Sequence, residues 1–131
     1  MKRILTIACA ALLFFTISSC TKQYITPNNT VSVYANLTQS DWTLYSDGLS
    51  YEAPINVADI DNNFAQTGNV IVSISFTDGV WEQVPETYNN VAYSYTYNNG
   101  NVTLYAQSAD GTTAVQPTDP IKVKITLVST N

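Results

Sequence analysis

The chain has 131 residues, with ten acidic side chains, five basic ones, a formal net charge of −5 and no histidine. That balance makes it a poor candidate for nucleic acid, which needs Lys and Arg at phosphates, and for adhesion to anionic lipid by charge. Without histidine, Ser–His–Asp and Cys–His catalysis are excluded, and so are the usual zinc sites.

Lys2 and Arg3 open the chain, and Ile4 to Ile17 is an apolar run of fourteen residues broken by Thr6 and Thr16. Ser18 and Ser19 follow. A basic start, an apolar run and small residues are the layout of a secretory signal peptide. The run falls short of the roughly 20 residues a spanning helix needs. Ile17-Ser18-Ser19-Cys20 resembles the lipobox of bacterial lipoproteins: an aliphatic residue, two small ones, then cysteine. The resemblance implies that residues 1–19 are removed and that Cys20 carries a diacylglyceryl group on its thiol and an acyl chain such as palmitate on its amino group. It also implies lipid anchoring at the outer membrane. Thr21 is not aspartate and no acidic run follows Cys20, so the expected side is the periplasmic face. Cys9 leaves with the signal peptide, and the remaining 112 residues carry a net charge of −7 and no thiol for a disulfide.

Residues 20–30 form the lipidated cysteine and a polar tether, and residues 31–131 one domain. Within that domain apolar residues recur at every second position, the period of half-buried strands. The sets are Val31, Val33, Ala35 and Leu37; Trp42 and Leu44; Tyr51, Ala53, Ile55 and Val57; Val70, Val72, Ile74 and Phe76. Residues 80–84 add a strand whose inward face is either Val80, Glu82 and Val84 or Trp81 and Gln83. Then come Val91, Tyr93, Tyr95 and Tyr97; Val102, Leu104 and Ala106; and Ile121, Val123, Ile125 and Leu127, with Lys122 and Lys124 between them. Asp78-Gly79 and Asn99-Gly100 supply the positive φ of tight hairpins. Asp47-Gly48 and Asp110-Gly111 are looser turns, and residues 59–63 and 116–120 are loops. No segment after residue 30 sustains a 3.6-residue period. About eight short strands predict an all-β fold, an antiparallel β-sandwich of Greek-key, immunoglobulin-like architecture.

Three further stretches, "TGNVIVSISFTDGVWEQVP" (67–85), "YSYTYNNGNVTLY" (93–105) and "IKVKITLV" (121–128), resemble small lipoproteins and secreted modules of the Bacteroidota. The shared features are a Gly-x-Val-x-Val strand, a tryptophan shortly before Val-Pro, a tyrosine-rich strand and a closing strand. The resemblance brings no known activity and no functional residue with it.

Candidate chemistry is sparse. The carboxylate pairs Asp59 with Asp61 and Glu82 with Glu86 match the density of acids in the chain, and no nucleophile, base and orienter occur together, so no enzyme and no cofactor are expected. Asp59, Asp61 and Asn63 have the spacing that opens a calcium loop, but Phe64 stands where that loop needs glycine, so an Asx-rich turn is favoured. Trp42 and Trp81 are expected to plug the core. Tyr93, Tyr95 and Tyr97 share one side of a strand. They line the core, or, if exposed, they join the tryptophans in a platform for sugar rings or a protein partner. The expected function is a lipid-anchored envelope module for structure or protein interaction, with a carbohydrate-binding module as the alternative. Its partners would be the membrane, through Cys20, and an envelope protein or glycan.

Overall fold

The computed structural model describes residues 30–130, and they form two antiparallel sheets around one apolar core. Sheet A has the order β1-β9-β4-β5 and sheet B the order β2-β3-β8-β7-β6. Sheet A consists of β1 (Thr30–Leu37), β4 (Asn69–Ser75), β5 (Glu82–Gln83) and β9 (Ile121–Val128). Sheet B consists of β2 (Thr43–Leu44), β3 (Tyr51–Asn56), β6 (Glu86–Tyr88), β7 (Val91–Asn98) and β8 (Asn101–Ser108). The expected all-β sandwich is thus present. The chain leaves β3 for sheet A, then returns as the meander β6–β7–β8 whose last strand lies beside β3, a Greek-key arrangement. The first strand is hydrogen-bonded to the last: Thr30 faces Val128 and Leu37 faces Ile121.

The inward parity of most strands follows the alternation. Val72, Ile74, Ala53, Val102, Leu104, Ala106, Val123 and Ile125 are fully buried. β9 lies between β1 and β4, so Ile125 is flanked by Val33 on one side and Val72 on the other. Pro54 sits in β3 opposite Thr103 of β8. On its other side β3 is paired only at Tyr51 and Glu52, so the missing N–H of Pro54 interrupts no ladder there.

Several local expectations are corrected. Trp42 is buried, but Leu44, of the same parity, is 57% exposed. Its strand β2 is two residues long, too short to hold a face against the core. In residues 80–84 the inward residue is Val84, while Val80 and Trp81 are exposed. Residues 59–63 are not only a loop: Asn62–Thr67 form a short helix, α1, capped by Asp61, whose carboxylate accepts the Phe64 N–H at 2.7 Å. Six residues are too few to display a helical period. Ile60, just before the cap, is fully buried. Thr30, placed in the tether by sequence, is the first residue of β1.

The turns also differ in part. Asn99-Gly100 closes the tight β7–β8 hairpin, with positive φ at Gly100. Asp78-Gly79 instead forms a turn inside the longer β4–β5 connection, where the Val80 N–H donates to the Thr77 carbonyl at 3.0 Å. The second two-residue hairpin is Asn89-Asn90, between the facing residues Tyr88 and Val91. Both asparagines have positive φ, 49° and 62°, as a type I′ turn demands.

Candidate functional site

The tyrosine row turns inward. Tyr93 is 5% exposed, and Tyr95 and Tyr97 are half-buried at the edge of the core. The Tyr95 hydroxyl donates to the Val70 carbonyl at 2.6 Å, and the Tyr97 hydroxyl donates to the Gly68 carbonyl at 3.4 Å. Both bonds run from sheet B to the β4 side of sheet A, so the hydroxyls tie the sheets together rather than waiting for a ligand. Burial, with Asp119 and Tyr88 adding to it, pushes the Tyr93 phenol up to about 12. Burial and the neighbouring Tyr97 raise that of Tyr95.

The two tryptophans part company. Trp42 follows a 3-10 turn over Gln39–Asp41, closed by the Asp41 carboxylate, which accepts from the Thr38 N–H at 2.7 Å and the Thr38 hydroxyl at 2.8 Å. Trp42 packs at a tilt against Tyr93, 6.4 Å between ring centroids, and plugs the core as expected. Its indole N–H has no hydrogen-bond partner among the described residues. Trp81 does not plug the core. It lies on the outer face of sheet A, edge-on to Tyr34 at 6.1 Å with the planes at 60°. The Lys124 ammonium sits 4.6 Å from the Trp81 ring centroid, within cation–π range. Tyr34 and Lys124 are directly paired across β1 and β9, and Trp81 comes from the β4–β5 connection at the other edge, so the group spans the outer face of the sheet.

This outer face has an unusual charge. β1, β4 and β9 contain no carboxylate and two lysines, whereas all ten acidic residues lie elsewhere in the described chain. Lys122 is paired with Asp78 at 2.5 Å. The sequence did not single out Tyr34, because it occupies the outward parity of its strand. Only the register of β1 on β9 brings it to Lys124 and Trp81.

At one end of the sandwich a second aromatic group forms. Phe76 stacks on Tyr88, 4.1 Å apart and 11° from parallel, and leans on Tyr93 at 5.5 Å. It borders two clefts, one of about 200 Å³ lined also by Gln116 and Asp119 and one of about 460 Å³ lined also by Asn36, Asp78 and Lys122. The Phe76 and Tyr88 rings present their faces to each other rather than to either cleft.

The acidic candidates are dispersed. Asp59, Asp61 and Asn63 are exposed, and the Asp61 carboxylate is engaged as the α1 cap. Glu82 lies on β5 in sheet A and Glu86 on β6 in sheet B. No group of three or more His, Cys, Asp or Glu side chains among the described residues is placed to hold a metal ion. Cys20 lies outside the described residues. No family model, curated protein or solved structure matches the chain.

Proposed function

We propose that the protein is a lipid-anchored envelope module, tethered at Cys20 on the periplasmic side of the outer membrane, that binds another protein through the outer face of sheet A. The anchor is supported by the Ile17-Ser18-Ser19-Cys20 box after a basic start and an apolar run, ten residues before β1 begins. The observation that carries the interaction is the exposed Tyr34–Trp81 pair with Lys124 beside it, Tyr34 and Lys124 on strands free of carboxylates and Trp81 in the β4–β5 connection. Exposed Trp and Tyr are enriched at protein contact surfaces, where large rings exclude water at low entropic cost. Among the described residues two other aromatic pairs reach the surface, Tyr45 with Tyr105 and Tyr88 with Phe76, but a cation lies only over Trp81.

Carbohydrate binding is the alternative. Stacking on sugars favours coplanar open rings, and the two exposed rings here lie 60° apart, which favours a protein contact. A photoreactive benzophenone side chain at position 81, irradiated in intact cells, tests the proposal. Discrete protein adducts are expected from position 81 and none from Thr96, exposed on the outer face of sheet B. Equal adducts from both positions, or none from either, would reject it. An adduct digestible by glycosidases would replace it with the sugar-binding alternative.

A further inference from the structure

β1 pairs with β9 along all eight of its residues, and among the described residues nothing pairs with its other side. Alternate residues of β1 therefore direct backbone N–H and C=O groups out of the sheet, open to a further antiparallel strand. The other edge strands are short, two residues each in β2 and β5 and three in β6, which leaves β7 open on one side over residues 94–98, but among the described residues only β1 is open along eight residues. β1 is long, and "TVSVYANL" contains neither a charge nor a proline, the usual devices that block an edge. Val31 adds an apolar side chain at this edge. It shares the inward parity of Val33, Ala35 and Leu37, and exposure on that face rises from buried Leu37 to Val31, 48% exposed near the start of the strand.

We infer that this edge docks β1 of a second copy of the chain, antiparallel about a twofold axis. The inference deepens the protein-interaction function above and rests on it. The strand is self-complementary. With the axis through Val33, Val33 meets its own counterpart, Val31 meets Ala35, and Ser32 meets Tyr34. Apolar side chains then adjoin on the inner face, and the two exposed tyrosines lie together on the outer one. Charge selects the same edge. Copies that each carry ten carboxylates repel, and the acid-free strands β1, β9 and β4 are where two copies approach with least repulsion. Anchoring fits as well. In the antiparallel pair the two Thr30 ends lie six residues apart along the ladder, about 20 Å at ~3.4 Å per residue. With the strands parallel to the membrane, the ten residues from Cys20 to Thr30 reach the bilayer from both ends, at up to ~3.5 Å per residue. One edge pair buries less than the ~1,200 Å² of a stable complex, so the contact is weak in solution and strengthened by confinement to a surface.

The test uses the anchored protein purified from membranes in detergent. Sedimentation across a wide concentration range is expected to show a monomer–dimer equilibrium. Hydrogen exchange is expected to slow at alternate β1 amides as the dimer forms. Val31→Lys places a charge at the inner rim of the edge and should weaken the dimer at least about tenfold, with its melting temperature little changed. Trp81→Ala should leave the dimer intact while abolishing any contact of the outer face, which separates failure of this inference from failure of the proposed function. A monomer at every concentration would overturn the inference, as would a dimer indifferent to Val31→Lys. So would β1 amides already protected in the monomer, since a segment of the same chain would then hold the edge. The exchange measurement needs no variant, so it decides even where Val31→Lys fails to fold.

Discussion

At the scale of single residues, the tyrosines of β7 combine packing with hydrogen bonding. A phenol whose folded pKa exceeds its unfolded value of about 10 holds its proton more tightly when folded. For Tyr93, pushed up to about 12, the stability this contributes is complete below pH 10 and is lost as pH rises toward 12. Tyr95 shifts in the same direction. Alkaline melts should therefore show the wild type losing stability between pH 10 and 12 and Tyr93→Phe losing less over the same interval. Parallel losses would mean that the Tyr93 hydroxyl is hydrated in the folded state. The row shows why parity alone left core and platform both open. Alternation places Tyr93, Tyr95 and Tyr97 on Val91's side, but whether the hydroxyls find acceptors depends on the opposite sheet, and Val70 and Gly68 supply them. Gly68 has a second role. A Cβ there would come within 2.5 Å of the Phe64 ring, so its small size lets α1 close onto β4.

At the scale of elements, β9 carries the clearest prediction. Ile125 is fully buried between Val33 and Val72, so Ile125→Ala should cost about 2–5 kcal/mol in a denaturant melt. Lys124→Ala loses its position over Trp81 and should cost only about 0.5–1 kcal/mol. A larger loss for Lys124→Ala would reverse the assigned faces of the strand. Long strands with one wet face, such as β9 and β8, were legible because every second residue repeats the same constraint. Two-residue strands repeat nothing: the alternation put Leu44 inside and left Trp81 undecided, and both are exposed. Asn89-Asn90 was passed over because Asn-Gly and Asp-Gly are the stronger hairpin signals, although asparagine tolerates the left-handed region. Of the candidate site only Trp81 was legible, as a member of the alternative aromatic platform. Tyr34, Lys124 and Trp81 are separated in sequence and meet only through strand register.

At the scale of the whole molecule, the core has no disulfide to assist it, and anchoring is expected to reside in one side chain. Cys20→Ala should abolish lipid labelling and cleavage before residue 20, and the protein should leave the membrane fraction or remain there as an uncut, larger form. A variant that still partitions into detergent at the size of the mature wild type would refute lipidation at this residue. The pairing of Thr30 with Val128 also governs how the domain bears load. Both ends of the described chain emerge at one corner. Tension between the anchor and anything attached after the C-terminus would part β1 from β9 one hydrogen bond at a time, like a zipper. A pull between the anchor and the far end of the sandwich would have to shear the whole ladder at once. The domain is therefore soft to force applied through its two ends and stiff to force applied across its body.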